Sequence, residues 1–227
     1  MKPELLRVGN SQSPIVVIDE FSGSLEPILK VARDLAPYPP HGNYYPGVRR
    51  VIDRADGAAN DYVEDVCRSA AQFIGGGFEI QRFDLLEASF SIVTRQPDEL
   101  APPQRAPHFD TTDQKHLALL HYLSVPTGSG TAFYRQRATG IERVTQDNVG
   151  LFVETARADA ARLSPRSGYI HGSDEFFEEI GAIEAVSDRL VIYQGSLLHS
   201  GIIPPGMTFS ADPNEGRLTA NLFVRGH

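Results

Sequence analysis

The sequence predicts a mostly β protein, a β-sandwich or barrel backed by helices. Helical patterns come first in the 227-residue chain, strand patterns follow, and a stretch with helical character at about 145–182 interrupts the strands. The last strand pattern alternates polar and apolar residues, as expected when one strand face lines a pocket and the other packs on a core, although an edge strand facing solvent would show the same alternation. This order of elements favours sheets with helices packed outside them.

The N-terminal part begins with a short apolar run at 15–19, which is typical of a strand. Ser24 is a candidate N-cap for a helix over about 25–36, because apolar residues recur there at helical spacing. Residues 37–50 are rich in proline, glycine and tyrosine and predict a loop. Asn60 is a candidate N-cap for a second helix, which the glycine run 75–77 would end.

Strand patterns dominate the rest of the chain. They cover 78–94, 117–123, 131–135, 190–193 and 217–224. Within the interruption, 147–163 and 173–180 both have helical patterns with acidic or serine starts. The segment 201–216 is rich in proline and glycine and predicts a loop over one end of the fold.

Composition limits the class of protein. The formal net charge is −8, which disfavours nucleic acid as a partner because nucleic-acid-binding proteins usually carry a basic stripe. The sequence contains no run of 18 apolar residues, so no membrane span is predicted. The first residues lack a secretory signal pattern. The single cysteine, Cys67, fits a reducing cytoplasm. We therefore expect one cytoplasmic domain over 1–227, with no membrane partner.

Three short motifs carry the chemistry. His108 and Asp110 are two positions apart, so on a strand they point to the same face while Phe109 points into apolar packing. With His199, which follows an apolar strand pattern, they form a set of two imidazoles and one carboxylate, the facial triad that suits non-haem Fe(II). Arg217 could then hold a co-substrate carboxylate through two hydrogen bonds.

Other polar and aromatic residues have simpler explanations. We expect structural or surface roles for His116, His121 and His171, loop packing for Tyr38, Tyr44 and Tyr45, and surface exposure for Arg135 and Arg137. Cys67 is expected to fill a gap in the core.

The motifs resemble those of the Fe(II)/2-oxoglutarate-dependent dioxygenase superfamily, closest to a bacterial group of its prolyl-hydroxylase-like branch. The resemblance covers most of the chain. It rests on 15–21 (IVVIDEF), 108–110 (HFD), 121–124 (HYLS), 130–133 (GTAF), 189–201 (RLVIY with LHSG) and 216–223 (GRLTANLF).

This resemblance implies a double-stranded β-helix (jelly-roll) core with N-terminal helices. It implies that His108, Asp110 and His199 bind Fe(II). Arg217 would pair with the C5 carboxylate of 2-oxoglutarate, Tyr122 would reach the same carboxylate, and Thr219 would match the hydroxyl residue of an R-x-S/T pair. The implied activity is a hydroxylation that releases succinate and CO2, and ascorbate is a candidate stimulant.

The substrate stays open between a small molecule, an amino acid and a peptidyl side chain. Two alternatives to an oxygenase also stay open: a non-catalytic jelly-roll binding protein, and a cupin-type metalloenzyme that does not use 2-oxoglutarate. Arg217 distinguishes the cupin alternative, because a cupin needs no carboxylate clamp at that position. The stretch 145–182 and the loop 202–216 could serve as a substrate lid or as the surface of a homodimer.

Overall fold

The computed structural model describes residues 1–40, 42, 44–162 and 168–227. These residues form ten strands and three α-helices. The strands are β1 (Lys2–Val8), β2 (Ser13–Asp19), β3 (Gly47–Val51), β4 (Phe83–Val93), β5 (His116–Ser124), β6 (Gly130–Gln136), β7 (Phe177–Glu184), β8 (Arg189–Gln194), β9 (His199–Ile202) and β10 (Leu218–Gly226). The helices are α1 (Glu26–Asp34), α2 (Ala58–Phe78) and α3 (Val149–Ala160). Two short 3₁₀ turns, Pro97–Glu99 and Pro102–Arg105, precede the His-Phe-Asp motif.

The strands form two antiparallel sheets. The larger sheet has the order β1-β2-β8-β5-β10-β4-β3, and the smaller one has the order β7-β6-β9. Apolar side chains from both sheets, among them Tyr122, Phe133 and Tyr193, form one buried cluster between them. The two sheets therefore face each other, and residues of both sheets can contribute side chains to the space between them.

Helices α1 and α2 cover the outer face of the larger sheet. The buried positions of α2 recur at helical spacing and form a single stripe. This stripe packs with the outward-facing apolar residues of β2, β4, β5, β8 and β10 in the largest buried cluster. The mostly β fold with helices outside the sheet is confirmed. Among the described residues, no helix is long and apolar enough to cross a membrane.

The predicted helix ends were partly wrong. Leu25, rather than Ser24, occupies the cap position of α1, and no side chain caps that helix. A proline in the first turn fixes the backbone dihedral there, which defines the start of the helix without a polar cap. Asn60 lies inside α2, where its amide donates to Glu64. The glycine run also lies inside α2, because burial of Ile74 on the sheet outweighs the low helix propensity of glycine.

The predicted pattern of strands needed four corrections. The prediction of a helix at 173–180 was wrong, because Phe177–Glu184 is strand β7, which pairs with β6. Strand β3 lies inside the predicted loop at 37–50, and the predicted strand at 78–94 begins only at Phe83. Helix α3 confirms most of the helix predicted at 147–163, whose last residue lies outside the described residues. Strand β1 was not anticipated.

Candidate metal centre

Two backbone segments hold the three predicted ligands in register. The main chains of His108 and His199 bond to each other in both directions, each with an N···O distance of 2.9 Å. Two residues further on, the amide of Asp110 donates to the carbonyl oxygen of Gly195 at 2.7 Å. Antiparallel pairing thus places 108–110 beside 195–199, although the first segment is too short to count as a strand.

The donor atoms of His108, Asp110 and His199 converge on one point between the sheets. Their ligand atoms all lie within 4.8 Å of one another. One carboxylate oxygen of Asp110 lies 3.9 Å from Nε2 of His108 and 3.8 Å from Nε2 of His199. One ion can therefore reach all three donors, and two imidazoles with one carboxylate suit Fe(II).

Hydrogen bonding and burial prepare His199 as a ligand. Its Nδ1–H donates to the carbonyl oxygen of Leu197 at 2.7 Å, which leaves the lone pair of Nε2 for a metal ion. Burial lowers the pKa of His199 to about 4, so the ring is neutral at pH 7.

The surroundings also shift the pKa values of the other two donors, His108 and Asp110. Burial, helped by the neighbouring His199, lowers the pKa of His108 to about 4. The side chain of His108 is 56% exposed, and this exposure is toward the cavity described below. Burial raises the pKa of Asp110, against the opposing effect of His108, His116 and Arg49. At pH 7 both imidazoles can donate a lone pair without first losing a proton.

Phe109, between the two motif ligands, takes the opposite direction, as expected. Its ring packs edge-on against Phe152 of α3 with a centroid distance of 5.6 Å. This contact ties the ligand segment to the helix that follows β6 in the chain.

Arg217 directly precedes the first residue of β10 and is only 5% exposed. One terminal nitrogen donates to the carbonyl oxygen of Gly130 at 3.2 Å, and the guanidinium carbon lies 5.7 Å from the ring centre of Tyr122. Its Nε is buried without a hydrogen-bond partner, and no carboxylate in the described part of the chain pairs with it. A buried cation in this state indicates a site for an anionic ligand, because leaving it unpaired is costly.

Hydroxyl groups surround Arg217. Thr219 is buried on the same strand face, as the alternation of β10 predicted. Tyr122 is fully buried, and its hydroxyl forms a 2.7 Å hydrogen bond with the hydroxyl of Thr131. Thr131 and Thr219 line the cavity together with Arg217, whereas Tyr122 lies behind them. Thr131 was not identified from the sequence, because β6 carries no polar alternation that distinguishes it.

One cavity of about 580 Å³ connects the metal donors with Arg217. Its inner wall comes from strands of both sheets, and its rim comes from loops. The polar wall also includes Arg49, Thr131, Thr219 and Asn221, and the rim includes Tyr44, Tyr45, Pro103, Tyr169 and Ile203. Arg49 and Asn221 were not proposed as site residues from the sequence.

His116, His121 and His171 have the positions expected of structural or surface residues. His121 is fully buried on the outer face of the larger sheet, where its two nitrogens contact the hydroxyl of Tyr62 at 2.8 Å and a carboxylate oxygen of Asp188 at 3.0 Å. His116 packs against Phe223 with a ring distance of 5.4 Å. His171 is exposed.

The predictions of loop packing for three tyrosines and of surface exposure for two arginines were correct only in part. Tyr38 packs in the core and donates to a carbonyl oxygen of α1, whereas Tyr44 and Tyr45 line the cavity. The prediction of loop packing was therefore incomplete for those two residues. Arg137 is exposed, as predicted, but the prediction of surface exposure was wrong for Arg135. Arg135 is half-buried because it bonds to Glu142 and Glu178, and it does not line the cavity.

Comparison with known proteins shows the family and the fold of this chain. A model of a family of unknown function, DUF6445, matches residues 1–224. No curated protein sequence matches the chain.

Among solved structures, the non-haem α-ketoglutarate-dependent epimerase SnoN of nogalamycin biosynthesis matches with a TM-score of 0.54 at 12% identity, over 95% of this chain and 80% of SnoN. HygX from Streptomyces hygroscopicus, with nickel and 2-oxoglutarate bound, matches with a TM-score of 0.52 at 11% identity, over 95% of this chain and 84% of HygX.

These structural matches confirm the jelly-roll core that the sequence motifs implied. The chain belongs to the family of unknown function DUF6445, and it has the fold of the iron- and 2-oxoglutarate-dependent oxygenases.

Proposed function

We propose that this protein is an Fe(II)- and 2-oxoglutarate-dependent oxygenase that hydroxylates a small molecule and releases succinate and CO2. The observation that supports this most directly is the position of Arg217. A buried guanidinium without a carboxylate partner opens onto the same cavity as two neutral imidazoles and a carboxylate. These are the two halves of a site for a metal ion and a dicarboxylate co-substrate.

In this proposal, His108 and His199 bind Fe(II) through Nε2 and Asp110 binds it through a carboxylate oxygen. Three protein ligands leave open positions on the ion. When bound, Fe(II) together with 2-oxoglutarate supplies the oxidation, in which one oxygen atom of O2 enters succinate and the other enters the hydroxylated product. The chain's own part is to orient the ligands and to exclude water.

Arg217 binds the distal carboxylate of 2-oxoglutarate. Its unpaired Nε and the hydroxyl of Thr219 are the groups suited to this carboxylate, and Thr131 is a further candidate on β6. Tyr122 supports the arrangement from behind, since its hydroxyl is bonded to Thr131 and its ring lies beside the guanidinium. We therefore assign Tyr122 a positioning role in co-substrate binding.

Two features favour a small-molecule substrate. The cavity has a volume of about 580 Å³ and is enclosed by loops on several sides. In addition, SnoN has been solved with nogalamycin RO bound and HygX with hygromycin B bound, and both share this fold with TM-scores of 0.56 and 0.55.

Each of the two alternative functions leaves one part of the cavity without a role. A cupin-type enzyme without 2-oxoglutarate needs no buried guanidinium next to its metal. A binding protein of the same fold needs no set of three donor atoms within reach of one ion. The combination in one cavity favours the oxygenase.

The test is succinate formation from 2-oxoglutarate with Fe(II), O2 and ascorbate, measured alongside Fe(II) affinity. We expect wild-type protein to bind Fe(II) and to form succinate slowly without substrate, because turnover is then uncoupled. His199→Ala should lose both properties. His171→Ala, which removes an exposed histidine, is the matched control and should keep both.

Equal succinate formation by wild type and His199→Ala would contradict the proposal. Tight Fe(II) binding without any binding of 2-oxoglutarate would favour the cupin-type alternative. The absence of both would favour the binding protein.

A further inference from the structure

Among the described residues of the cavity wall, Arg49 is the one charged residue that the proposed chemistry does not use. It lies on β3, the edge strand of the larger sheet, and its side chain is only 11% exposed. Among charged residues of the described cavity lining, Asp110 is committed to the metal and Arg217 to the co-substrate. Arg49 therefore remains available for another ligand.

The guanidinium of Arg49 is held rigidly on one edge. Its Nη2 donates to a carboxylate oxygen of Glu87 and to the hydroxyl of Ser89, both at 2.7 Å. Its Nε donates to the hydroxyl of Ser91 at 3.2 Å. These three partners lie on β4, which is paired with β3, so the sheet itself fixes the orientation of the group.

The opposite edge of the same guanidinium is free. Within the residues that the structure describes, Nη1 of Arg49 donates to no protein atom, although it carries two N–H groups. The guanidinium carbon lies 5.8 Å from the ring centre of Tyr45, another cavity residue. A fixed cation with a free donor edge beside an aromatic ring is suited to a planar anion that lies in the cavity.

We propose that Arg49 is a specificity-determining residue that binds a carboxylate of the substrate. This rests on the proposed oxygenase function, and it narrows the substrate to small carboxylic acids. One free nitrogen suits a monoanionic carboxylate better than a phosphate, because Glu87 already offsets part of the charge and a dianion would call for a second cation. The reacting carbon of the substrate would then lie between Arg49 and the metal donors.

The experiment measures binding of matched small probes to protein already loaded with Zn(II) and 2-oxoglutarate, so that the metal and Arg217 are occupied. The probes are benzoate with benzamide, phenylacetate with phenylacetamide, and phenyl phosphate, followed by ligand-observed NMR titration. We expect wild type to bind at least one carboxylate about tenfold or more tightly than its amide, as one charge-assisted hydrogen bond permits.

Arg49→Gln should abolish this preference while leaving the affinity for 2-oxoglutarate unchanged. Arg50→Gln is the matched control, because Arg50 is the next residue on β3, bonds to Asp56, and does not line the cavity. It should retain the preference. If Arg49→Gln does not fold, the double variant Arg49→Gln/Glu87→Gln removes the unpaired carboxylate as well and answers the same question.

The outcomes separate this inference from the function on which it rests. If wild type binds 2-oxoglutarate but binds no carboxylate more tightly than its amide, the assignment of Arg49 is overturned and the oxygenase proposal stands. The same holds if phenyl phosphate binds most tightly, or if Arg49→Gln keeps the preference. Failure of wild type to bind 2-oxoglutarate counts instead against the oxygenase.

Discussion

His108 and His199 are joined by two reciprocal main-chain hydrogen bonds of 2.9 Å, although they lie 91 positions apart in the sequence. The main chain of each histidine is therefore held in place by its hydrogen bonds to the other histidine. The two rings lie 4.3 Å apart from centre to centre.

Gly195 is the position at which a small change should damage the metal centre most selectively. A Cβ atom at this residue would lie 2.5 Å from Nδ1 of His116 and 3.1 Å from a carboxylate oxygen of Asp110. Gly195→Ala must therefore displace the ring of His116 and crowd the carboxylate of Asp110, and we expect Fe(II) affinity to fall by about 10–100-fold, as for other changes that disturb a ligand's support. Calorimetric titration with Fe(II) under anaerobic conditions measures this.

The control for that variant is Gly150→Ala on α3, where a Cβ atom would meet nothing within 4 Å. It should bind Fe(II) as wild type does and should be slightly more stable, because alanine favours a helix. Unchanged Fe(II) affinity in Gly195→Ala would show that Asp110 tolerates displacement or does not bind the ion.

Arg217→Ala should weaken 2-oxoglutarate binding without affecting Fe(II) affinity. The guanidinium supplies charge-assisted hydrogen bonds, and we expect a loss of about 2–3 kcal/mol, or roughly 30–150-fold in Kd. Binding of 2-oxoglutarate to the Zn(II) form, measured by calorimetry, tests this. An unchanged Kd would remove Arg217 from the co-substrate site.

Tyr122→Phe should have a smaller effect on the same Kd. The hydroxyl contacts Thr131 and lies behind the cavity wall, so its removal leaves the threonine without one partner but keeps the ring beside Arg217. We expect a change of about 1 kcal/mol or less, as for one neutral hydrogen bond. A loss as large as that of Arg217→Ala would mean that the tyrosine hydroxyl contacts the ligand directly.

The metal-free protein should lose stability as the pH falls from 6.5 toward 4. In the folded state, burial lowers the pKa values of His108 and His199 to about 4 and also lowers that of His121. Between these values and the ordinary pKa of about 6.5, the unfolded chain binds more protons than the folded one, so the free energy of unfolding rises with pH there. Urea unfolding at several pH values measures this slope.

The contribution of His121 can be separated by substitution. His121→Gln removes one titrating group on the outer face of the sheet, away from the metal donors, and should reduce the slope by up to one proton. Asp188, whose pKa is lowered mainly by its bonds to His121 and Ser22 against the effect of burial, adds a further loss of stability below about pH 4. A slope unaffected by His121→Gln would contradict the buried, neutral state of this histidine.

The sequence was sufficient for the parts of the site that depend on local patterns. Alternation along β10 predicted that Arg217 and Thr219 share a face, and both line the cavity. The spacing of His108 and Asp110 predicted a common face, and the structure places both side chains beside His199.

Nonlocal pairing explains what the sequence did not predict. Arg49 lies in a segment with loop composition, and it becomes part of a strand only because β3 pairs with β4. The residues at 173–180 place Phe176, Phe177 and Ile180 at helical spacing, and the chain there forms a strand because β6 offers an unpaired edge. In both cases the deciding contact comes from a distant part of the chain.

The cavity combines a sheet-borne inner wall with a rim made of loop residues from far-apart parts of the sequence, among them Tyr44, Pro103, Tyr169 and Ile203. Tyr44 and Pro103 are exposed and lie outside the strands, so they can be altered without removing a residue of either sheet. Libraries randomised only at these rim codons should therefore yield folded proteins with new substrate ranges.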